Sequence, residues 1–226
     1  MERHGVRTQE IVTFEDMRQP AASVRIRRNA AGSRMSRSLV ILPRSFYARG
    51  AVEVARDLLG KVLVHGPAAG IIVETEAYLG GDDLASHSAA GITDRTRVIF
   101  GPPGHAYVYL SYGMHDCMNI VAEPAGTPGC VLIRALEPID GLDAMRLRRP
   151  SARTDRDLAS GPGKLTRALG ITRKHTGADL TRGDLVVMSG PAAPQFEIVV
   201  TPRIGITKCA ELPLRFLIAG NKFVSS

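Results

Sequence analysis

Tryptophan is absent from this chain of 226 residues, and aromatic residues of all kinds make up only 5% of it. Rings this scarce have been placed rather than scattered through a core, so a cluster of them calls for a reason. Cysteine is nearly as rare. Cys117, Cys130 and Cys209 share no CxxC spacing and form no even set, which indicates neither a disulfide framework nor a zinc site and leaves reduced, mostly buried thiols. Long apolar runs are missing too: none approaches the roughly 18 residues of a membrane span, and the N-terminus lacks the charged-then-apolar pattern of a secretory signal. The expected protein is soluble, touches no membrane and stays inside the cell, cytoplasmic with the chromosome in a bacterium or nuclear in a eukaryote. No metal cluster, Ser-His-Asp arrangement or dinucleotide fingerprint is present in the sequence, so neither a metal nor a cofactor is expected.

Positive charge is what the chain has in excess. Lys and Arg number 29 against 22 Asp and Glu, a formal charge of +7, and the pI is near 9.7. That balance favours a polyanionic partner, nucleic acid or an anionic surface. The length suits one domain with a sizeable core. Residues 1–40 mix Arg25, Arg27, Arg28, Arg34 and Arg37 with Ala, Ser and Gln without apolar periodicity. They are expected to form a flexible basic arm, or an over-long start upstream of Met35, ahead of a globular domain over residues 41–226.

From residue 42 onward the text is globular. Ala51, Val54, Ala55, Leu58 and Leu59 recur at helical spacing and Gly60 sits where a helix stops,. A strand over residues 61–64 comes next. The stretch GIIVETEAYLGG then alternates as a strand does, which predicts Ile71, Val73, Thr75 and Ala77 on one face and Ile72, Glu74, Glu76 and Tyr78 on the other,. Two carboxylates and a tyrosine sharing a face fit either chemistry or an ordinary solvent-facing strand. Residues 80–104 are loop text with a short helix around residues 83–88, and they carry His87, Arg95 and Arg97, the arginines expected to be solvated,.

Three of the five tyrosines, Tyr107, Tyr109 and Tyr112, fall within HAYVYLSYGMHDCMNIV. Tyr107 and Tyr109 lie in a run of strand formers, Ser111, Tyr112 and Gly113 interrupt it, and a second apolar run begins at Cys117. This predicts a hairpin with Tyr107 and Tyr109 on one face and Tyr112 exposed at the tip. An aromatic tip on a basic protein is suited to entering a base stack, and an enzyme acting on a base must extrude it into a pocket lined by stacking groups. Further on, Arg134 sits among apolar neighbours and must find an acid or an anion, since it cannot be neutralised. SGPGKLTRALGI predicts a helix capped by Ser160, with Gly161, Gly163 and Lys164 placed to meet a phosphate. Short apolar runs over residues 184–224 finish a sheet. The fold class expected is α+β: a single domain with a mixed, mostly antiparallel sheet flanked by helices and a protruding hairpin.

VETEAYLGGDDLASHS, IFGPPGHAYVYLSYGMHDCMNIV, VLIRALEP and SGPGKLTRALGI together resemble the alkyladenine (3-methyladenine) DNA glycosylases of the mammalian-type fold, from about residue 42 to the C-terminus. The resemblance implies that Glu76 is the general base activating water for attack on C1′ of a flipped nucleotide, with Arg134 positioning it. It implies that Tyr78 and His87 stack on one face of the extruded base and Tyr109 on the other, that Asn119 obstructs the exocyclic amino group of guanine, and that Tyr112 is the wedge that fills the gap left in the duplex. Met114 and Lys164 are the further residues expected to meet DNA. By the same resemblance the chain is a monofunctional, base-excising hydrolase acting on double-stranded DNA with damaged purines, and one DNA-facing surface fits a monomer. The chain departs from the family in having no tryptophan near residues 210–216 and in carrying Ile99 where Met is frequent before Phe100. Two other readings use the same residues: a catalytically silent nucleic-acid-binding module, which has no reason to place an acid where phosphates approach, and a hydrolase of free nucleosides, which needs no DNA.

Overall fold

Twelve-residue strands carry the architecture. In the structure, a computed structural model describing residues 39–190 and 196–225, β1 is Val62–His65, β2 Ala68–Leu79, β3 Ala106–Ser111, β4 His115–Val121, β5 Gly129–Asp140, β6 Leu185–Met188, β7 Ile198–Thr201 and β8 Arg215–Ile218. They form one sheet in the order β3-β4-β5-β2-β1-β6. β8 pairs with the second half of β2 and with β7, while β1 takes the first half of β2. Every pairing among the described strands is antiparallel, so the sheet is not the mixed one expected; short connections join β1 to β2, β3 to β4 and β4 to β5,. Most of the expected basic arm, residues 1–38, lies outside the described residues. The described fold begins with Leu39, which is buried, and with Ile41 and Leu42 held on β6.

Among the described residues five α-helices, α1 (Arg44–Tyr47), α2 (Ala51–Asp57), α3 (Leu142–Arg148), α4 (Asp155–Ala159) and α5 (Pro162–Leu169), accompany the sheet. α2 forms as its spacing predicts, burying Ala51, Val54, Ala55 and Leu58,. Its first N–H is satisfied from outside, because Glu123 Oε1 in the β4–β5 connection accepts from Ala51 N at 2.7 Å,. Ser160 does not cap α5 as expected. It terminates α4, and Gly161 takes the N-cap position with no side-chain cap. α5 instead braces the hairpin: Thr166 Oγ1 donates to the Asp116 carbonyl at 2.7 Å, and a Cβ on Gly163 would meet His115 Cβ at 2.7 Å. Only glycine allows the first turn of α5 to lie this close to the base of the hairpin.

The alternation expected along β2 fails in its middle, and the failure matters for the site. Register irregularities fall between Ile72 and Thr75 on β2, opposite Arg134 on β5. Before the irregularity, Ile72 faces the main core with the helices while Ile71 and Val73 face a second, smaller core. After it, Thr75 and Ala77 face the helices, Thr75 Oγ1 donating to the Ala55 carbonyl at 2.8 Å. β5 switches in the same way, with Ile133 and Leu136 in the main core and Ala135 in the second. Paired bulges therefore swap both strands' faces, bringing Glu74, Glu76 and Tyr78 to the side of Ile71 and Val73 rather than that of Ile72. One face of the sheet is thus divided: one part is the small core of Val62, Val73 and Phe223, and the other carries polar and aromatic side chains.

Candidate active site

Register across four strands assembles this second part, because residues directly paired in an antiparallel ladder project to the same side. Glu76 pairs with Leu132, Leu132 with Asn119, and Asn119 with Tyr107, giving one row across β2, β5, β4 and β3. Beside it runs Tyr78, Cys130 and Val121, and on the other flank Tyr109 pairs with Cys117. The opposite sides of the same strands, Ala77, Val131, Ile133, Met118, Ile120, Ala106 and Val108, belong to the main core. Residues spread from 76 to 134 in the chain are thereby gathered onto one surface.

The two carboxylates of β2 are both fully buried but are held differently. Glu74 Oε1 accepts from Arg134 Nε at 2.9 Å, Arg215 Nε at 2.7 Å and Ser225 Oγ at 2.8 Å, and its Oε2 accepts from Ser225 N at 2.7 Å. Such a saturated anion is a structural counter-charge for two guanidinium groups. Glu76 Oε1 faces Arg134 Nη1 at 3.1 Å and accepts from Ile204 N at 2.8 Å. Among the described residues its Oε2 accepts from Tyr78 OH alone, at 3.0 Å. This oxygen keeps lone-pair capacity for a further proton donor such as water. Arg134 thus finds acids, as its apolar setting requires, and links both. Burial, then Glu76 itself, then Tyr109 push the Tyr78 phenol far above its ordinary range, so Tyr78 stays a protonated donor,.

The rings form a second group. Tyr107 and Tyr109 stack with centroids 5.5 Å apart, and His87, on the loop between β2 and β3, meets Tyr109 edge-on at 4.5 Å. His87 Nδ1 lies 2.9 Å from Tyr107 OH. Arg95 joins them, its guanidinium 5.4 Å from the Tyr109 centroid, with Nε donating to Tyr107 OH at 3.2 Å and Nη2 lying 3.4 Å from His87 Nε2. Because arginine only donates, His87 Nε2 accepts and Nδ1 carries the proton. Burial, then Arg95, lowers the His87 pKa, which keeps the imidazole neutral near pH 7. His87 and Tyr109 are therefore in contact rather than facing each other across a gap. A base between two rings needs about 7 Å, two van der Waals separations.

Asn119 is buried, and its Oδ1 lies 3.6 Å from the Cys130 thiol while its Nδ2 has no partner among the described residues. Burial pushes the Cys130 thiol up to about 12, so it remains a donor. At the edge of the site the hairpin ends in a three-residue turn, with Ser111 opposite His115 and Met114 N donating to Ser111 O at 3.0 Å. Tyr112 and Met114 at this tip are 80% and 71% exposed, and Lys164 is half-buried in the first turn of α5, which packs on His115.

Sequence patterns missed the segment that closes the site. Arg203 is buried, pairs with Asp83 and lies 4.7 Å over the Tyr78 ring. Ile204 supplies a backbone N–H to Glu76, and Arg215 shares Glu74. Nothing local marks these residues, since a main-chain donor has no side-chain signature and the contacts span more than a hundred residues. Arg95, expected in solvent, is exposed but engaged with three rings, Tyr107, Tyr109 and His87.

A single antiparallel sheet thus carries a buried, arginine-held carboxylate beside a group of tyrosines and an aromatic hairpin. The sequence profile of the family described as "Methylpurine-DNA glycosylase (MPG)" matches residues 45–222. The chain belongs to this family and is a DNA glycosylase of base-excision repair. Proteins named "Putative 3-methyladenine DNA glycosylase" are similar to it in Methanoculleus marisnigri, 53% identical over 190 residues covering 81% of this chain and 98% of that protein. One from Methanocella arvoryzae is 54% identical over 180 residues, covering 77% and 89%, and one from Rhodopseudomonas palustris is 53% identical over 184 residues, covering 81% and 90%.

Proposed function

We propose that the chain excises alkylated purines such as 3-methyladenine from double-stranded DNA, with Glu76 as general base. The observation that carries this reading is the environment of Glu76: a fully buried carboxylate beside Arg134, with one oxygen engaged, among the described residues, only by Tyr78, on the same face as Tyr107 and Tyr109. Water held against Oε2 gives a proton to the carboxylate as its oxygen bonds to C1′, and the C1′–N bond breaks with its electron pair passing to the base. A cationic alkylated purine leaves neutral, which lowers the barrier, and the sugar passes through an oxocarbenium-like state that the carboxylate stabilises. No amine is needed, so the product is an abasic site.

Tyr78 and Tyr109 supply ring faces for the extruded base and His87 its edge, with entry requiring the His87 ring to turn away from Tyr109. Asn119, through its unpartnered amide nitrogen, would oppose a guanine amino group. Tyr112 is the wedge. Its φ of 49° is left-handed, a backbone state that costs a non-glycine residue roughly 1–2 kcal/mol, and a glycine or asparagine would fill the turn more readily. An exposed ring kept there at that strain points to work done at the tip. Met114 beside it and Lys164 on α5 extend the DNA-facing surface, and a single such surface suits a monomer. The alternative of a silent binding module gives no account of a buried base-like carboxylate behind the rings. Glu76→Gln tests the assignment: release of bases from methylated duplex DNA should cease while duplex affinity is kept, and equal loss of both would reject Glu76 as the base.

A further inference from the structure

We infer that Arg203 is a positioning residue for the general base, holding in place both of the neutral donors that fix the Glu76 carboxylate. The inference rests on Glu76 being that base. Apart from Arg134, Glu76 is engaged by Tyr78 OH and Ile204 N. Arg203 touches the first directly, with its guanidinium 4.7 Å from the centre of the Tyr78 ring, and is covalently joined to the second.

Its own anchorage is unusually complete for a residue outside the sheet. Nη1 donates to Asp83 Oδ2 at 2.7 Å and to the Ala77 carbonyl at 3.1 Å; Nη2 donates to Asp83 Oδ1 at 2.8 Å and to the Cys209 carbonyl at 3.3 Å. Ala77 is the residue between Glu76 and Tyr78, so Arg203 grips the strand at the point where the two functional side chains emerge. Cys209 lies on its own loop, which the arginine therefore closes on itself. Asp83 in turn accepts from Leu79 N at 2.9 Å and from Ala85 N at 3.2 Å, which fixes the start of the loop that carries His87. Arg203 Nε has no partner among the described residues, so the buried cation is held by the bidentate pair, two carbonyls and the Tyr78 face. A planar fork is required for this set, and lysine, with one point charge, meets only part of it.

The consequence is kinetic. With the fork lost, Ile204 N–H and Tyr78 OH are no longer fixed relative to Glu76, and a misplacement of about 1 Å at a reacting group lowers a rate by about 100-fold. Tyr112 meets this loop through its hydroxyl at the Gly205 carbonyl, a bond given up when the ring enters the duplex, so affinity for DNA is expected to survive loss of the fork.

The experiment measures single-turnover release of 3-methyladenine from methylated duplex DNA for wild type, Arg203→Met, Arg203→Lys and Glu76→Gln. Affinity for a duplex with an uncleavable abasic analogue and the folded fraction at the assay temperature are measured alongside. Arg203→Met should slow release by about 100-fold per folded molecule with affinity kept within about twofold, and Arg203→Lys should recover about tenfold of that loss. A slowing that only tracks the folded fraction, or one matched by equal loss of affinity, overturns the positioning role. If Glu76→Gln is inactive while Arg203→Met releases base at the wild-type rate, the positioning role alone fails. If Glu76→Gln keeps the wild-type rate, the reading of Glu76 fails beneath it.

Discussion

The hydroxyl of Tyr112 donates a hydrogen bond to the Gly205 carbonyl, 3.2 Å away, so the hairpin tip rests on the residue after Ile204, the donor to Glu76. The proposed wedge and the proposed base are thus joined through two consecutive residues of one loop. In the proposed role, Tyr112 gives up this bond when it enters the duplex. Its ring and its hydroxyl therefore have separable roles.

Tyr112→Ala removes the stacking ring and should weaken binding to a lesion duplex by about 1–3 kcal/mol. Tyr112→Phe keeps the ring and removes only the contact with Gly205, so it should bind within about twofold of wild type. Fluorescence anisotropy with a labelled duplex distinguishes the two. Equal losses in both variants would assign the binding to the hydroxyl and not to the ring.

His87 and Arg95 give a spectroscopic expectation. Burial is the larger cause of the lowered imidazole pKa and the Arg95 cation the second. A neutral imidazole suits the proposed excision of cationic purines, because an imidazolium would repel them. NMR titration should place the His87 midpoint below the ordinary histidine value of about 6.5, and Arg95→Ala should move it upward. A midpoint unmoved by that substitution would mean that the guanidinium does not lie against the ring in solution.

Glu74 should behave as a structural residue. It is completely buried and counters Arg134 and Arg215. Glu74→Gln leaves two partly uncompensated guanidinium groups in the interior, a loss of about 3–5 kcal/mol. For a domain of this size that corresponds to a fall in melting temperature on the order of 10 °C. Melting indistinguishable from wild type would show that the two arginines find other counter-charges.

The strands that carry the candidate site were legible in the sequence because they are regular elements, while the roles expected of their residues came from the family resemblance. Period-two patterns announced β2 and the hairpin, the excess of tyrosine in one short stretch announced the ring cluster, and an arginine among apolar residues announced an acid partner for Arg134. What misled was local: paired bulges at Glu74 and Arg134 swap strand faces without changing the net register, and no alternation rule foresees a defect that cancels itself. The two carboxylates nevertheless stayed together, since Arg134 reaches both from the facing strand. What stayed hidden was contributed from far along the chain. Arg203, Ile204, Arg215 and Ser225 reach the site from loops and strand ends, where contact depends on topology and not on periodicity.

The pair of Asp83 and Arg203 also fixes how stability should depend on pH. Burial alone would raise the Asp83 pKa, but the hydrogen bonds from Arg203, then the Leu79 N–H, outweigh it and hold the carboxyl below its usual range. The unfolded chain therefore takes up this proton at higher pH than the folded one does. The pair's contribution is fully present above the unfolded carboxyl value of about 3.9 and is lost as the pH falls through the lower, folded value. Asp83→Asn mimics the protonated form at every pH, leaving Arg203 buried opposite a neutral group. Its deficit against wild type in urea unfolding should be largest near neutrality and should shrink below about pH 3.9, where wild type loses the same charge. A deficit that stays constant from pH 7 to the acid range would show that the asparagine is penalised for its shape and not for its missing charge, and the ion pair would then have no part in holding the loop of His87 against the strand of Glu76.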